Sequence, residues 1–390
     1  MEVRPGYKMT EVGVIPKDWN VVAFQDEFRI SAGGDVNPQL SSSEQDEVHP
    51  FPIYSNGLTN GGLYGYCSYS DHPAGSLTIT ARGTLGVANY RDHKYTAIGR
   101  VLVLEPKREF FGQFFAEFIN ARVNFAVEST GVPQLTAPQI SGYRLAVPPL
   151  PEQRAIASAL SDVDALLAGL DRLIAKKRDL KQAAMQQLLS GKTRLPGFHG
   201  DWALKQVADL GEVETGGTPS TEVDEYWGGG YPWITPTDIS TYRDMSSSER
   251  ALTRKGIDVV GLLPANTVLV TCIASIGKNA ILTVPGACNQ QINAVSPSAD
   301  NDPAFLYYMF EGSKQYLQAN AGITATSIIS KKAFSELSFR VPELAEQSAI
   351  ASILSDMDDE VEALEACRDK TRALKQGMMQ ELLTGRIRLV

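Results

Sequence analysis

The chain lacks any apolar run long enough to cross a bilayer, and its N-terminal stretch MEVRPGYKMTEVG holds no hydrophobic signal core. Both absences predict a cytoplasmic protein with no membrane partner. Cysteine is scarce. Cys67, Cys272, Cys288 and Cys367 form no C-x-x-C pair and have no histidines at ligand spacing, so free thiols and no metal site are expected. An excess of basic residues is also missing. The net charge of −9 excludes a protein that is basic all over, although a local basic face can still meet phosphates.

Catalytic signatures are absent as well. There is no Walker loop, no Rossmann fingerprint and no H-E-x-x-H. Asn37-Pro38 continues as Gln39-Leu40, which departs from the N-P-P-Y-type run expected of an amino-methyltransferase. Glu105-Pro106-Lys107 has the E-x-K spacing of some nucleases but no acidic partner placed upstream, so it reads as a strand end followed by a turn. His49, His72, His93 and His199 are scattered, and nothing favours a Ser/His/Asp triad.

What is present is a repeat. Val147 to Leu195 and Val341 to Leu389 align without a gap, and roughly half the positions are identical. Each copy has a long helical pattern and follows a variable stretch. The predicted layout is therefore a block over 1–146, a helix region over 147–195, a block over 196–340 and a helix region over 341–390.

In the first block, FPIYSNG at 51, GSLTITARGTLG at 75 and RVLVLEP at 100 read as short strands broken by turns, and FFGQFFAEFINARVNFAVES reads as a helix starting near Phe110. The second block repeats the plan with WITPTDI at 233, TVLVTCIASIGKNAIL at 267, INAVSP at 292 and a helix starting at 303. Leu77, Ile79, Thr80, Leu85 and Gly86 fall where Val268, Val270, Thr271, Ile276 and Gly277 fall. In both blocks a strand reaches a Gly-containing turn and continues as a second strand.

The helices carry a coiled-coil seam. Ile156, Leu160, Val163, Leu167, Leu170 and Ile174 step by four and three, and Ile350, Leu354, Met357, Val361 and Leu364 do the same. The seam weakens at Lys177 and Arg368, where a stutter is expected, and resumes through Leu180, Met185 and Leu188. Gly191 and Gly385 stand where a C-cap belongs. About 38 residues of helix span about 57 Å. If the two repeats are built alike, each helix leaves one block and arrives at the other, so the pair runs antiparallel in a nearly closed two-fold object.

The turns hold side chains suited to nucleic acid. The second block offers Trp233, Thr235, Thr237 and Asp238, then Ser275, Lys278 and Asn279, then Asn289, Gln290 and Gln291. The first offers Tyr54, Asn56, Arg82, Thr84, Asn89, Tyr90, Arg91 and Lys94. Amides and guanidinium groups pair bidentately with base edges, and Lys and Ser/Thr suit phosphates.

At this point the chain resembles the specificity subunit of a type I DNA restriction-modification system. The resemblance covers essentially the whole length. It rests on P-x-L-x-E-Q-x-A-I-A-x-x-L-S-D-x-D (Pro148 to Asp164, Pro342 to Asp358) and L-K-Q-x-x-M-Q-x-L-L-x-G (Leu180 to Gly191, Leu374 to Gly385), with G-G-T-P-S and W-I-T-P-T-D-I in the second block. The first block departs from the pattern, with GGDVNPQ where a G-x-T-P loop is expected.

The resemblance implies an α+β fold: two α/β target recognition domains joined by two long antiparallel helices forming a coiled coil, with internal pseudo-two-fold symmetry. Each domain is then expected to read one half of a bipartite, asymmetric double-stranded DNA target. The helices would set the spacing and dock two methyltransferase subunits, with Arg154, Arg172, Lys176, Lys177 and Arg178 as docking candidates, and restriction subunits would join in the full complex. Methylation with S-adenosylmethionine would belong to the partners, so this chain is expected to be non-catalytic and to bind no cofactor. A stand-alone nuclease or methyltransferase, or a structural coiled-coil adaptor, are the alternatives.

Overall fold

Leu150–Leu188 and Leu344–Leu382 are unbroken α-helices of 39 residues each. Ala, Leu, Lys, Gln and Glu dominate both, and these residues lose little side-chain freedom in a helix. Each helix ends before a glycine with φ +66°, Gly191 and Gly385, the left-handed conformation that closes a helix C-terminus. A Cβ on Gly385 would stand 2.5 Å from Pro16, so that position needs glycine for space as well as for its backbone. The structure, a computed structural model, describes residues 4–126, 133–240, 242–322 and 327–389.

The chain divides into two units, Met1–Asp171 with Ala366–Val390, and Arg172–Glu365. Both long helices are cut near their middles. Each unit therefore holds a globular block, the first half of the helix that leaves it and the second half of the helix that arrives.

Within each unit the helix halves run antiparallel. In the first, Lys375 Nζ lies 2.7 Å from Asp164 and Arg368 lies 3.8 Å from Asp171. In the second, Lys177 pairs with Glu360 at 2.6 Å and Lys181 pairs with Asp358. Numbers rise on one helix as they fall on the other.

Ile156 and Leu160 are buried in the first unit's core with Leu382 and Leu383, and Ile350 and Leu354 are buried in the second's with Met185 and Leu188. Leu170 and Ile174 are also buried, while Val163, Leu167, Met357, Val361 and Leu364 are half-buried. Leu180 departs from the expected seam: it is 47% exposed, as is its repeat mate Leu374 at 60%. The next residue in each copy, Lys181 or Lys375, faces the partner helix to reach its aspartate, so the leucine turns outward and the seam resumes only at the methionine.

The two blocks share one plan. In the first, Asn20–Ala23 pairs antiparallel with Arg144–Val147, the strand that leads into the long helix. In the second, Ala203–Gln206 pairs with Ser338–Val341 in the same way. A central antiparallel sheet follows, ordered Phe28–Ala32, Leu102–Pro106, Ser76–Ile79, Ala88–Arg91 in the first block. The second orders Gly211–Thr215, Ile292–Pro297, Thr267–Thr271, Asn279–Leu282 and adds Asp244–Met245, which pairs parallel with Asn279–Leu282. A further small sheet contains a parallel pairing, Ile53 with Thr96 in the first block and Trp233 with Ala287 in the second.

Gly112–Arg122 and Pro303–Gly312 cover the central sheets with buried aromatics, Phe114, Phe115 and Phe118 in one and Phe305, Tyr308 and Phe310 in the other. The first starts two residues later than the spacing predicts, and residues 127–129 of that stretch lie outside the described residues. The helix starting at 303 stops at Gly312 and resumes as Lys314–Ala319.

Glu105 closes a strand, with its Oε1 3.1 Å from His72 Nδ1, and Lys107 donates to the Gln25 carbonyl at 2.6 Å. Among the described residues, no group of three His, Cys, Asp or Glu could hold a metal and no helix is long and apolar enough to cross a membrane. The cysteines are free, with only Cys367 exposed.

Candidate nucleic-acid interface

The Glu-Gln pair of the repeated motif builds the joint between block and helix. In the first unit Glu152 is fully buried; it accepts from Trp19 Nε1 at 2.8 Å and from both Nε and Nη2 of Arg388. Arg388 also donates to both oxygens of Asp18, at 3.0 and 2.7 Å. Arg388 holds the Asp18 carboxyl below the ordinary carboxylate range. In the second unit Glu346 accepts from Trp202 Nε1 at 3.2 Å and from Arg194 Nε and Nη2 at 2.6 Å each.

The glutamines act in parallel. Gln153 Oε1 takes the Phe111 N–H at 3.0 Å, and Gln347 Oε1 takes the Asp302 N–H at 2.9 Å, each at the start of the helix that covers the sheet. Each glutamine also donates to the motif's own proline carbonyl, Pro148 or Pro342. Buried polar groups are nearly always paired, and in both copies the Glu-Gln pair is hydrogen-bonded to the block and to its own chain.

The surfaces rest on two further matched devices. Gly33 and Gly34 donate to the carbonyls of Val101 and Ala97, and Gly216 and Gly217 donate to those of Ile292 and Cys288. A Cβ on Gly33 or Gly216 would stand 2.6 or 2.2 Å from backbone. The GGDVNPQ stretch therefore occupies the place of GGTPS despite its different sequence.

The second device is the hairpin turn. Thr80 and Thr271 each close it by accepting, on the side-chain oxygen, the N–H of Val87 or Lys278 at 3.0 Å. Leu135 and Ile329 donate to Ala81 and Cys272 alongside.

These turns place Arg82 and Thr84 in the first block, and Ser275 and Lys278 in the second, at exposed corresponding corners. Lys94, Thr237 and Gln290 are exposed too. Other candidates point into the fold. Asn56 Oδ1 accepts from the Ala81 and Arg82 N–H groups and its amide donates to the Gly99 carbonyl.

Arg91 is 6% exposed, stacks 3.5 Å over the Tyr54 ring and donates to Thr78 and to the Gly61 carbonyl. Tyr54 is buried with its hydroxyl 2.9 Å from His93, Tyr90 lies against Gly112, and Asn89 is half-buried. Trp233 is 5% exposed and donates to the Gly217 carbonyl at 2.8 Å. Thr235 and Asp238 bond each other, Asn289 and Gln291 do likewise, and Asn279 donates to the Tyr307 carbonyl while its own Oδ1 has no partner among the described residues. Of the docking candidates, Arg154, Lys177 and Arg178 pair with Glu109, Glu360 and Glu365, and Arg172 and Lys176 are exposed.

A model of the family described as "Type I restriction modification DNA specificity domain" matches residues 16–176 and again 199–371. The chain belongs to that family. The double match falls on the two block-and-helix repeats. A MjaIX specificity subunit from Methanocaldococcus jannaschii is 36% identical over 42% of this chain and 39% of its own length. A putative MjaX specificity subunit from the same organism is 22% identical over 98% of this chain and 97% of its own. This chain spans about two fifths to half the length of the first curated relatives it matches.

The solved S subunit of a type I restriction-modification system from M. genitalium shares the fold at TM-score 0.64 and 13% identity, covering 98% of each chain. A chain from a structure titled for complex assembly and conformational transition of the type I R-M system matches at TM-score 0.58, with 16% identity over 96% of this chain and 99% of that one.

Missed from sequence were the roles of Glu152, Gln153, Asp164 and Lys375 and their repeat mates. The available signal was their identity at matched positions in both copies.

Proposed function

We propose that this chain is the non-catalytic DNA-recognition subunit of a type I restriction-modification complex, acting in the cytoplasm. The blocks, residues 1–146 and 196–340, are its target recognition domains, and each reads one half of a bipartite, asymmetric DNA sequence. The supporting observation is a difference laid on a sameness. The glycine clasp, the threonine-closed hairpin and the Glu-Gln joint recur atom for atom in both blocks. The corners they present carry Arg82 and Thr84 in one, Ser275 and Lys278 in the other. One scaffold with unlike exposed donors suits unlike half-sites, because sequence is read by side chains at base edges and not by the frame.

The long helices are the ruler. A 39-residue helix is about 58 Å long, more than one DNA turn of about 34–36 Å. Their exposed faces dock two methyltransferase subunits, which bind S-adenosylmethionine and do the chemistry, and restriction subunits join these to cut. Exchanging residues 196–340 for a foreign block should change one half of the methylated sequence and leave the other half and the spacer intact. A change in both halves would sink independent reading, and turnover by the purified chain without partners would sink the non-catalytic role.

A further inference from the structure

The second block presents one arginine unlike any other described in the chain. The Arg250 guanidinium carbon lies 3.5 Å from the centroid of the Trp227 ring and 5.5 Å from that of Trp233. The two indoles stand edge to face, 5.1 Å apart at 87°. Each is anchored by its own N–H, Trp227 to the Ser220 carbonyl at 3.1 Å and Trp233 to the Gly217 carbonyl at 2.8 Å. The Arg250 carbonyl accepts the Trp233 N–H at 3.1 Å, which fixes the main chain beneath the side chain. Arg250 is exposed. Among the described residues, none forms an ion pair or side-chain hydrogen bond with its guanidinium. The neighbouring cations differ: Lys255 and Arg254 are engaged by Glu225 and Asp258.

The first block stacks two arginines on aromatic rings, but Arg91 on Tyr54 is buried and spends its donors inside the fold, and Arg4 on Tyr7 donates to the Arg386 carbonyl at 2.9 Å. Arg250 has the same stacking with its donors turned to solvent. Stacking on indole orients the guanidinium plane and removes side-chain freedom before any ligand arrives. A phosphate can be met by a swinging side chain acting as a charge. An oriented fork can also grip two phosphate oxygens, but it discriminates between sequences only at a base edge, where coplanar acceptors such as O6 and N7 differ from base to base. The indoles also tie Arg250 to the Gly217–Ser220 loop, whose Thr218 donates to the exposed Gln290 at 2.5 Å.

We propose that Arg250 is a specificity-determining residue that reads a guanine through its O6 and N7 in the half-site of the second block. This rests on the recognition role proposed above. It is tested in the assembled complex with its methyltransferase partners, by mapping methylated positions in DNA of random sequence for the unaltered chain, Arg250→Ala and Arg250→Lys. Both variants should relax one base position in the second half by roughly 10- to 100-fold and leave the first half unchanged. Lysine keeps the charge without the fork, so a charge effect alone would spare it. If the alanine variant does not assemble, the lysine variant decides.

An unchanged motif, a uniform loss across all sequences, or a second half containing no G·C pair overturns the assignment to Arg250 and leaves the recognition role standing. No fixed two-part motif with the unaltered chain overturns the recognition role itself.

Discussion

The Glu152 joint of the first unit and the Glu346 joint of the second use the same residue types and differ in how the arginine reaches them. Arg194 is eight residues upstream of Trp202, so chain connectivity holds it near its partners; it adds bonds to the Gly200 and His199 carbonyls. Arg388 is far in sequence from Trp19, and the link is made without a covalent bond. Arg388 takes a second carboxylate, Asp18, while Tyr7 donates to the Gly385 carbonyl at 2.7 Å and Arg4 to that of Arg386 at 2.9 Å. The additional bonds of the first joint hold together segments far apart in sequence, where no short connection limits their freedom.

The comparison can be broken most forcefully at the buried glutamates. Glu152→Ala leaves Trp19 and Arg388 without their shared acceptor and should cost the first unit about 3 kcal/mol. It should also free 384–389, seen as faster hydrogen exchange there. Glu346→Ala should loosen the second unit without releasing the Arg194–Trp202 link; equal exchange in both links would show that connectivity plays no part.

A smaller difference lies one layer further in. Glu117 in the first unit matches Tyr308 in the second, since each stands six residues past the N–H bound by Gln153 or Gln347. Lys375 lies 3.7 Å from Glu117, and Lys181 lies 5.5 Å from the Tyr308 ring centroid. Burial raises the Glu117 pKa, Lys375 lowers it in part, and Asp164 raises it further. The folded unit thus holds this proton more tightly than the unfolded chain. Stability from this group is present below its ordinary 4.5 and falls as pH rises through the raised value. Glu117→Gln should be more stable than the unaltered chain in urea unfolding at pH 7, with the gap closing toward pH 4. A gap independent of pH would assign the effect to packing.

The smallest effect should come from the helix register pairs. Lys375→Ala and Lys181→Ala each remove a partly exposed interhelical ion pair, worth about 0.5 kcal/mol apiece. Lys375→Ala should also steepen the pH dependence through Glu117, and Lys181→Ala should not. The same unfolding series reads both.

The doubled layout, the helices and their opposed directions, and the hairpin shared by Leu77–Gly86 and Val268–Gly277 were legible in the sequence, because periodicity and repetition are properties of the chain order itself. Exposure of the candidate side chains was not. Arg91, Asn56, Trp233 and Asn279 are of types that read bases, yet their donors or acceptors are taken by backbone distant in sequence or by neighbouring strands. Residue type records what a group can bond, and only packing decides whether something has already bonded it.

Sequence alone thus determined two like frames on matched antiparallel helices, since identical residues at a constant offset must solve the same burial problem twice. Tertiary structure alone decided that Glu152 and Glu346 are buried acceptors, that GGDVNPQ sits where GGTPS does, and that Arg250 stands on an indole with its donors outward. Each depends on atoms brought together across many residues, where no local pattern constrains the partner.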